Sequence, residues 1–111
     1  MNYRIYPTPE FKRLFKKLLK KYPSLKSDLQ LLATKLSENP KMGISLGYGI
    51  YKIRFAISSK DKGKSSGARI IIFIAHKEKE VYLLYVYDKN QLENITKAQV
   101  LKILQKTGLI E

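Results

Sequence analysis

The chain has 111 residues, of which 44% are hydrophobic, and a length of this order matches one compact domain, residues 1–111. The 22 basic residues exceed the 9 acidic ones, so the net charge is +13 and we expect a polyanionic partner, with nucleic acid as the first candidate. Cysteine is absent from the sequence, which excludes disulfides and thiolate chemistry.

The sequence predicts a cytoplasmic protein without a membrane partner. The longest apolar run, Ile70–Ala75, is too short to cross a bilayer. The first residues, Met1–Pro9, lack the basic start and the long apolar stretch of a secretory signal.

The first half of the chain predicts one strand followed by two helices. Asn2–Tyr6 alternates polar and apolar residues, as a short strand does. Thr8 is a typical helix N-cap, Pro9 occupies the tolerated first position, and apolar residues then recur with helical spacing. A break at Pro23 separates this helix from a second helical pattern, which ends at Asn39–Pro40.

The second half predicts three strands and a short helix. Lys41–Gly49 contains three glycines and is predicted to be a loop. Ile50–Ile57 alternates as a strand, while Arg69–Ala75 and Glu80–Tyr87 are the near-continuous apolar runs of central strands. Thr96–Gln99 has the form of a capping box, which predicts a C-terminal helix.

The predicted order β-α-α-β-β-β-α is typical of an α+β fold. We expect a small, antiparallel-rich β-sheet with the two N-terminal helices packed on one face. The first strand is free to join an edge of that sheet.

A strongly basic segment between the second and third predicted strands is the first candidate for phosphate binding. Within it, Ser58–Gly67 is polar and is predicted to be a mobile hairpin loop. The segment has one acidic residue, Asp61, and the following basic residues: Lys52, Arg54, Lys60, Lys62, Lys64 and Arg69.

Tyr51, Tyr85 and Tyr87 are candidates for stacking on unpaired RNA bases. The alternative, which we weigh equally, is that these tyrosines belong to the core or to a sheet face. Seven basic residues between positions 12 and 26 also suggest a second RNA track, although such a run is more often a solvated helix face.

The cluster of Lys52, Arg54 and Arg69 suits a metal-independent ribonuclease, because RNA supplies its own 2′-OH nucleophile. The enzyme must then supply a base, positive charge for the phosphate and a proton donor for the leaving oxygen. Spacing alone favours the alternative, electrostatic RNA binding without bond breaking. The scattered carboxylates and the single histidine predict neither a metal ion nor a small-molecule cofactor.

Three strings of sequence together resemble the RelE/ParE toxin superfamily, and most of all its HigB-type branch. They are Gly49–Arg54, Gly67–Ile71 with the preceding Gly63-Lys64, and Tyr82–Asn90. The resemblance implies a RelE-like fold and a toxin that cleaves translated mRNA in the ribosomal A site and arrests growth. It also implies three partners: the mRNA on the ribosome, ribosomal RNA and a cognate antitoxin protein.

The resemblance also assigns roles to single residues. Lys52 and Arg54 match the basic pair that the family uses for 2′-OH activation and phosphate stabilisation, and Arg69 matches the arginine assigned to the scissile phosphate. Lys89 matches a basic residue placed for the leaving oxygen or for ribosomal RNA, and Lys64 is a weaker match in the loop. Two alternatives stay open: a non-catalytic RNA- or ribosome-binding regulator, and a gyrase-inhibiting toxin of the same fold.

Overall fold

A five-stranded sheet with strand order β1-β5-β4-β3-β2 forms the centre of the fold. The computed structural model describes residues 2–60, 67–89 and 95–108. Within these ranges the strands and helices are β1 (Arg4–Pro7), α1 (Pro9–Lys21), α2 (Leu25–Glu38), β2 (Ile44–Gly47), β3 (Ile50–Phe55), β4 (Ala68–Ala75), β5 (Glu80–Asp88) and α3 (Lys97–Lys106). The predicted α+β class is confirmed.

The sheet is mostly antiparallel. β2, β3, β4 and β5 pair antiparallel in succession, and β1 lies parallel to β5 at one edge. The first strand therefore joins the edge of the sheet, as the sequence suggested.

Local chemistry sets the ends of the helices where the sequence predicted them. The Thr8 side chain accepts a hydrogen bond from the Phe11 N–H at 3.3 Å and donates to the Leu83 carbonyl at 2.8 Å, so it both caps α1 and ties it to β5. Thr96 and Gln99 form the complete capping box of α3. No described helix has the length and apolar character needed to cross a membrane.

The two faces of the sheet carry different helices. On one face, here called the α1/α2 face, those two helices bury apolar side chains from β3, β4 and β5, including Ile53, Phe55, Ile70, Ile72, Val81 and Leu83. On the other, the α3 face, Val100 and Leu104 of α3 pack with Ile50, Ile71, Leu84 and Tyr87. The prediction placed the two N-terminal helices on one face; α3, whose position was not predicted, covers part of the other.

The predicted loop over Lys41–Gly49 was wrong, because Ile44–Gly47 forms the edge strand β2. It pairs with β3 through Ile44 and Lys52, and the connection turns through Gly47, Tyr48 and Gly49, all at positive φ. The glycines that suggested an open loop instead supply the left-handed backbone of a tight hairpin.

Candidate functional site

Lys52, Arg54 and Arg69 lie together on the α3 face of the sheet. Lys52 and Arg54 alternate along β3 with Ile53 and Phe55, whose side chains are buried on the α1/α2 face. The register of β3 and β4 then sets Arg54 directly opposite Arg69. The backbone register therefore agrees with the prediction that the three cations share one surface.

Arg69 is buried while Arg54 is exposed. The Arg69 side chain retains 5% of its accessible surface, and its guanidinium donates to the Ala68 carbonyl at 3.1 Å. Burial lowers the pKa of the Arg69 guanidinium, and the positive charge of Arg54 lowers it further. Arginine remains charged near neutral pH despite such a shift, so the pair holds two like charges side by side.

A β-bulge brings two tyrosines onto the same face as these cations. The register of β4 and β5 shifts between Ile71 and Ile72, which are opposite Tyr85 and Leu83. Tyr85 and Tyr87 consequently both pack with the α3-face cluster, with ring centroids 6.1 Å apart.

The two tyrosines differ in accessibility. Tyr87 is opposite Arg69 and is buried, and this burial raises the pKa of its phenol. Tyr85 is half-buried at the edge of the face. Of the predicted stacking residues, Tyr51 lies on the other side of the sheet, against the α1/α2 core, so the structure separates it from the cations.

Lys89 follows β5 directly and lies at the same end of the sheet as Arg54 and Arg69. Its backbone N–H donates to the Gly67 carbonyl at 3.2 Å, and its side chain is half-buried. Lys60 ends a single 3-10 turn, Ser58–Lys60. Its side chain, and the predicted RNA-binding residues Lys62 and Lys64, lie outside the described residues.

A group of hydrogen bonds that the sequence did not reveal holds Ser58 and Ser59, two residues that follow β3. The buried Asp28 carboxylate on α2 accepts hydrogen bonds from the Ser58 N–H at 2.9 Å and from the Ser24 hydroxyl at 2.8 Å. Ser59 and Ser24 exchange two further hydrogen bonds of 2.9 and 3.1 Å. The end of β3 is thereby anchored to the turn between α1 and α2.

A second buried carboxylate, Asp88, precedes Lys89. The Tyr22 hydroxyl at the end of α1 donates to it at 2.7 Å, and Asp88 retains none of its accessible surface. Desolvation and this hydrogen bond raise the pKa of Tyr22 to about 12. The contact joins residues that are far apart in sequence, so no local pattern could have indicated it.

The chemistry available at this site is cationic. Among residues 2–60, 67–89 and 95–108, no group of three His, Asp or Glu side chains is arranged to hold a metal ion. An exposed Arg54, a half-buried Lys52 and a buried Arg69 concentrate positive charge where an anion approaching the α3 face would meet it.

Comparison with known proteins agrees with this fold. A family model described as the RelE toxin of the RelE/RelB toxin-antitoxin system matches residues 3–109. A mutant of the E. coli toxin RelE in the free state superposes with a TM-score of 0.63 at 18% identity, over 99% of this chain and 100% of that chain. The isolated E. coli RelE toxin gives a TM-score of 0.56 at 15% identity, over 94% of this chain and 98% of that chain.

Proposed function

The chain belongs to the family of RelE toxins of toxin-antitoxin systems, and we propose that it is a ribosome-dependent endoribonuclease that cleaves translated mRNA in the A site. The observation that supports this most is the placement of Lys52, Arg54 and Arg69 on one face of the sheet. Binding alone would require only accessible charge, whereas this site buries Arg69 directly beside the exposed Arg54.

In the proposed reaction the 2′-oxygen attacks the adjacent phosphorus and the bond from phosphorus to the 5′-oxygen breaks. The products are a 2′,3′-cyclic phosphate and a 5′-hydroxyl. Lys52 and Arg54 serve 2′-OH activation and phosphate stabilisation, and Arg69, buried beside Arg54, adds its positive charge at the scissile phosphate. Lys89, at the same end of the sheet, serves the leaving oxygen or contacts ribosomal RNA.

The proposed partners follow from the same charge. A net charge of +13 suits the mRNA and ribosomal RNA of a translating ribosome, and we propose that the protein acts on them in the cytoplasm. We propose that the antitoxin presents an acidic or mixed-charge segment that folds on binding and covers part of the cationic surface.

Primer extension on a reporter mRNA during induced expression tests the proposal. The wild type should produce in-frame cuts within translated codons, and Arg54→Ala should remove them. The matched control is Lys77→Ala, which removes an exposed cation from the turn between β4 and β5, at the opposite end of these strands. Growth arrest with intact mRNA would instead support the gyrase or ribosome-binding alternatives.

A further inference from the structure

β5 is only partly covered by a neighbouring strand on its outer edge. β1 pairs with Glu80–Leu83, and the Leu83 carbonyl then accepts hydrogen bonds from the Thr8 N–H at 3.0 Å and its hydroxyl at 2.8 Å. Beyond that point no strand in the described ranges pairs with this edge, and α1 borders Tyr85–Tyr87 instead. A cavity of about 360 Å³ lies between α1 and these residues.

The α1 side of this cavity is a single helix face bearing two lysines. Leu14 and Leu18 form its apolar floor, while Lys17 and Lys21 are exposed at its rim. None of the described residues that line the cavity is acidic. The described lining residues therefore offer an anion two positive charges and no carboxylate; Glu10, whose charge interacts with Arg13 and Lys17, lies outside the lining.

One cross-strand row of the sheet links the groove to the cationic site. Lys52 is opposite Ile71 across β3 and β4, and Ile71 is opposite Tyr85 across β4 and β5. Tyr85 thus ends the cross-strand row that starts at Lys52, and its half-buried ring forms one wall of the groove. Ile71, between them, is fully buried with Val100 and Leu104 of α3, so a polymer that contacts both Lys52 and Tyr85 passes around that helix.

Cations that follow a backbone, combined with an aromatic ring for stacking, are the features by which proteins bind single-stranded nucleic acid. Lys17 and Lys21 are one helical turn apart, a rise of about 6 Å, which suits successive phosphates of an extended strand. The volume also falls within the range of about 300–1,000 Å³ found for ligand pockets.

We propose that the groove between α1 and β5 holds the single-stranded RNA that flanks the cleaved position, with Lys17 and Lys21 on its phosphates and Tyr85 stacked on a base. This inference rests on the proposed function and names a binding subsite for the same RNA. It gives two lysines of the basic α1 surface a defined role and leaves Lys12 and Lys16, on the opposite side of that helix, outside the site.

The test is the binding of a short, fluorescent 2′-O-methyl RNA, which lacks the nucleophile and cannot be cut. Lys17→Gln combined with Lys21→Gln should make the dependence of log K on log salt shallower by about 1.4, because each lost phosphate contact on a single strand accounts for about 0.7. The matched control, Lys12→Gln with Lys16→Gln, removes the same charge with the same spacing and should change the slope far less.

Tyr85→Leu tests the stacking role separately. It should weaken binding about tenfold and leave the salt slope unchanged, because the ring contributes stacking and no charge. Circular dichroism and thermal unfolding identify any variant that has lost its fold, and a conservative Tyr85→Phe should retain wild-type binding because the ring is kept.

Three results would overturn the proposal: equal effects of the two lysine pairs, unchanged binding in Tyr85→Leu, or retained RNA binding with lost antitoxin binding in the Lys17/Lys21 variant. The last result would make the groove a protein-docking site. Absence of mRNA cleavage by the wild type would contradict the proposed function, while this binding assay would still decide on the groove.

Discussion

The α1/α2 face and the α3 face share the same central strands but differ in their chemistry. β3 and β4 give the α1/α2 face apolar side chains such as Ile53, Phe55 and Ile70, all buried. The same strands give the α3 face Arg54 and Arg69, two like charges in directly opposed positions. The difference indicates that one face stabilises the fold well enough for the other to carry an arrangement that opposes folding.

The largest effect on stability should come from the α1/α2 face. Ile70 is fully buried there, and Ile70→Ala should lower the free energy of unfolding by about 2–5 kcal/mol, through lost burial and a residual cavity. Urea unfolding measures this. Ile103→Ala, at a half-buried position of α3, is the control and should cost less; an equal loss would contradict the contrast between the faces.

On the α3 face, removing a charge should lower the activity and raise the stability of the protein. Arg54→Gln should lower the rate of mRNA cleavage about 10²–10³-fold, because it removes positive charge from the reacting phosphate. It should also raise the free energy of unfolding by about 0.2–1 kcal/mol, since Arg69 loses a like-charged neighbour. Lys77→Gln should change neither quantity, and a destabilised Arg54→Gln would show that this arginine supports the fold.

The Tyr22–Asp88 hydrogen bond is a polar contact beside the otherwise apolar core of the α1/α2 face. Tyr22→Phe should cost about 1.5–3 kcal/mol at pH 7, since a charged acceptor loses its donor. Tyr82→Phe is the matched control, because its hydroxyl donates to the Glu80 carboxylate at the same distance of 2.7 Å in a less buried position. Equal losses in the two variants would contradict the importance of the buried pair.

The same pair gives a dependence on pH with a defined sign. The folded-state pKa of Tyr22, about 12, lies above its ordinary value of 10.0. The stabilisation is therefore fully present below pH 10.0 and is lost as the pH rises towards about 12. The difference in stability between the wild type and Tyr22→Phe should shrink over this interval, and a constant difference would contradict the assigned hydrogen bond.

The smallest effect on stability should come from the N-cap of α3 and should be confined to that helix. Thr96→Ala removes the capping box and should cost about 1 kcal/mol. Hydrogen exchange should accelerate in α3 and remain slow in β4 and β5, whose core does not depend on that cap. Thr34→Ala, at an exposed position inside α2, is the control; faster exchange throughout the sheet in Thr96→Ala would show that both faces unfold together.

Local patterns in the sequence predicted the parts of the fold that local chemistry determines. Thr8 and Pro9 marked the start of α1, and Thr96 marked that of α3, because caps act within one helical turn. The alternation of Lys52 and Arg54 with apolar residues likewise predicted a cationic strand face.

The remaining features depend on contacts between distant segments. The edge strand β2 pairs with β3 although its glycines resemble those of a loop, and the bulge that brings Tyr85 onto the α3 face has no marker in the sequence. The burial of Arg69 and the contacts of Asp28 with Ser58 also arise only once the chain has folded. Which of the predicted RNA-binding residues contact RNA stays a prediction.

Cleavage of a defined mRNA by the purified protein, with and without programmed ribosomes, tests the central claim most directly when one substrate carries a single 2′-deoxy nucleotide immediately 5′ of the cut. We expect cleavage only with ribosomes, products ending in a 2′,3′-cyclic phosphate, and no cut at the deoxy position. Cleavage that persists at the deoxy position would contradict attack by the 2′-OH, and with it the role proposed for the cationic α3 face.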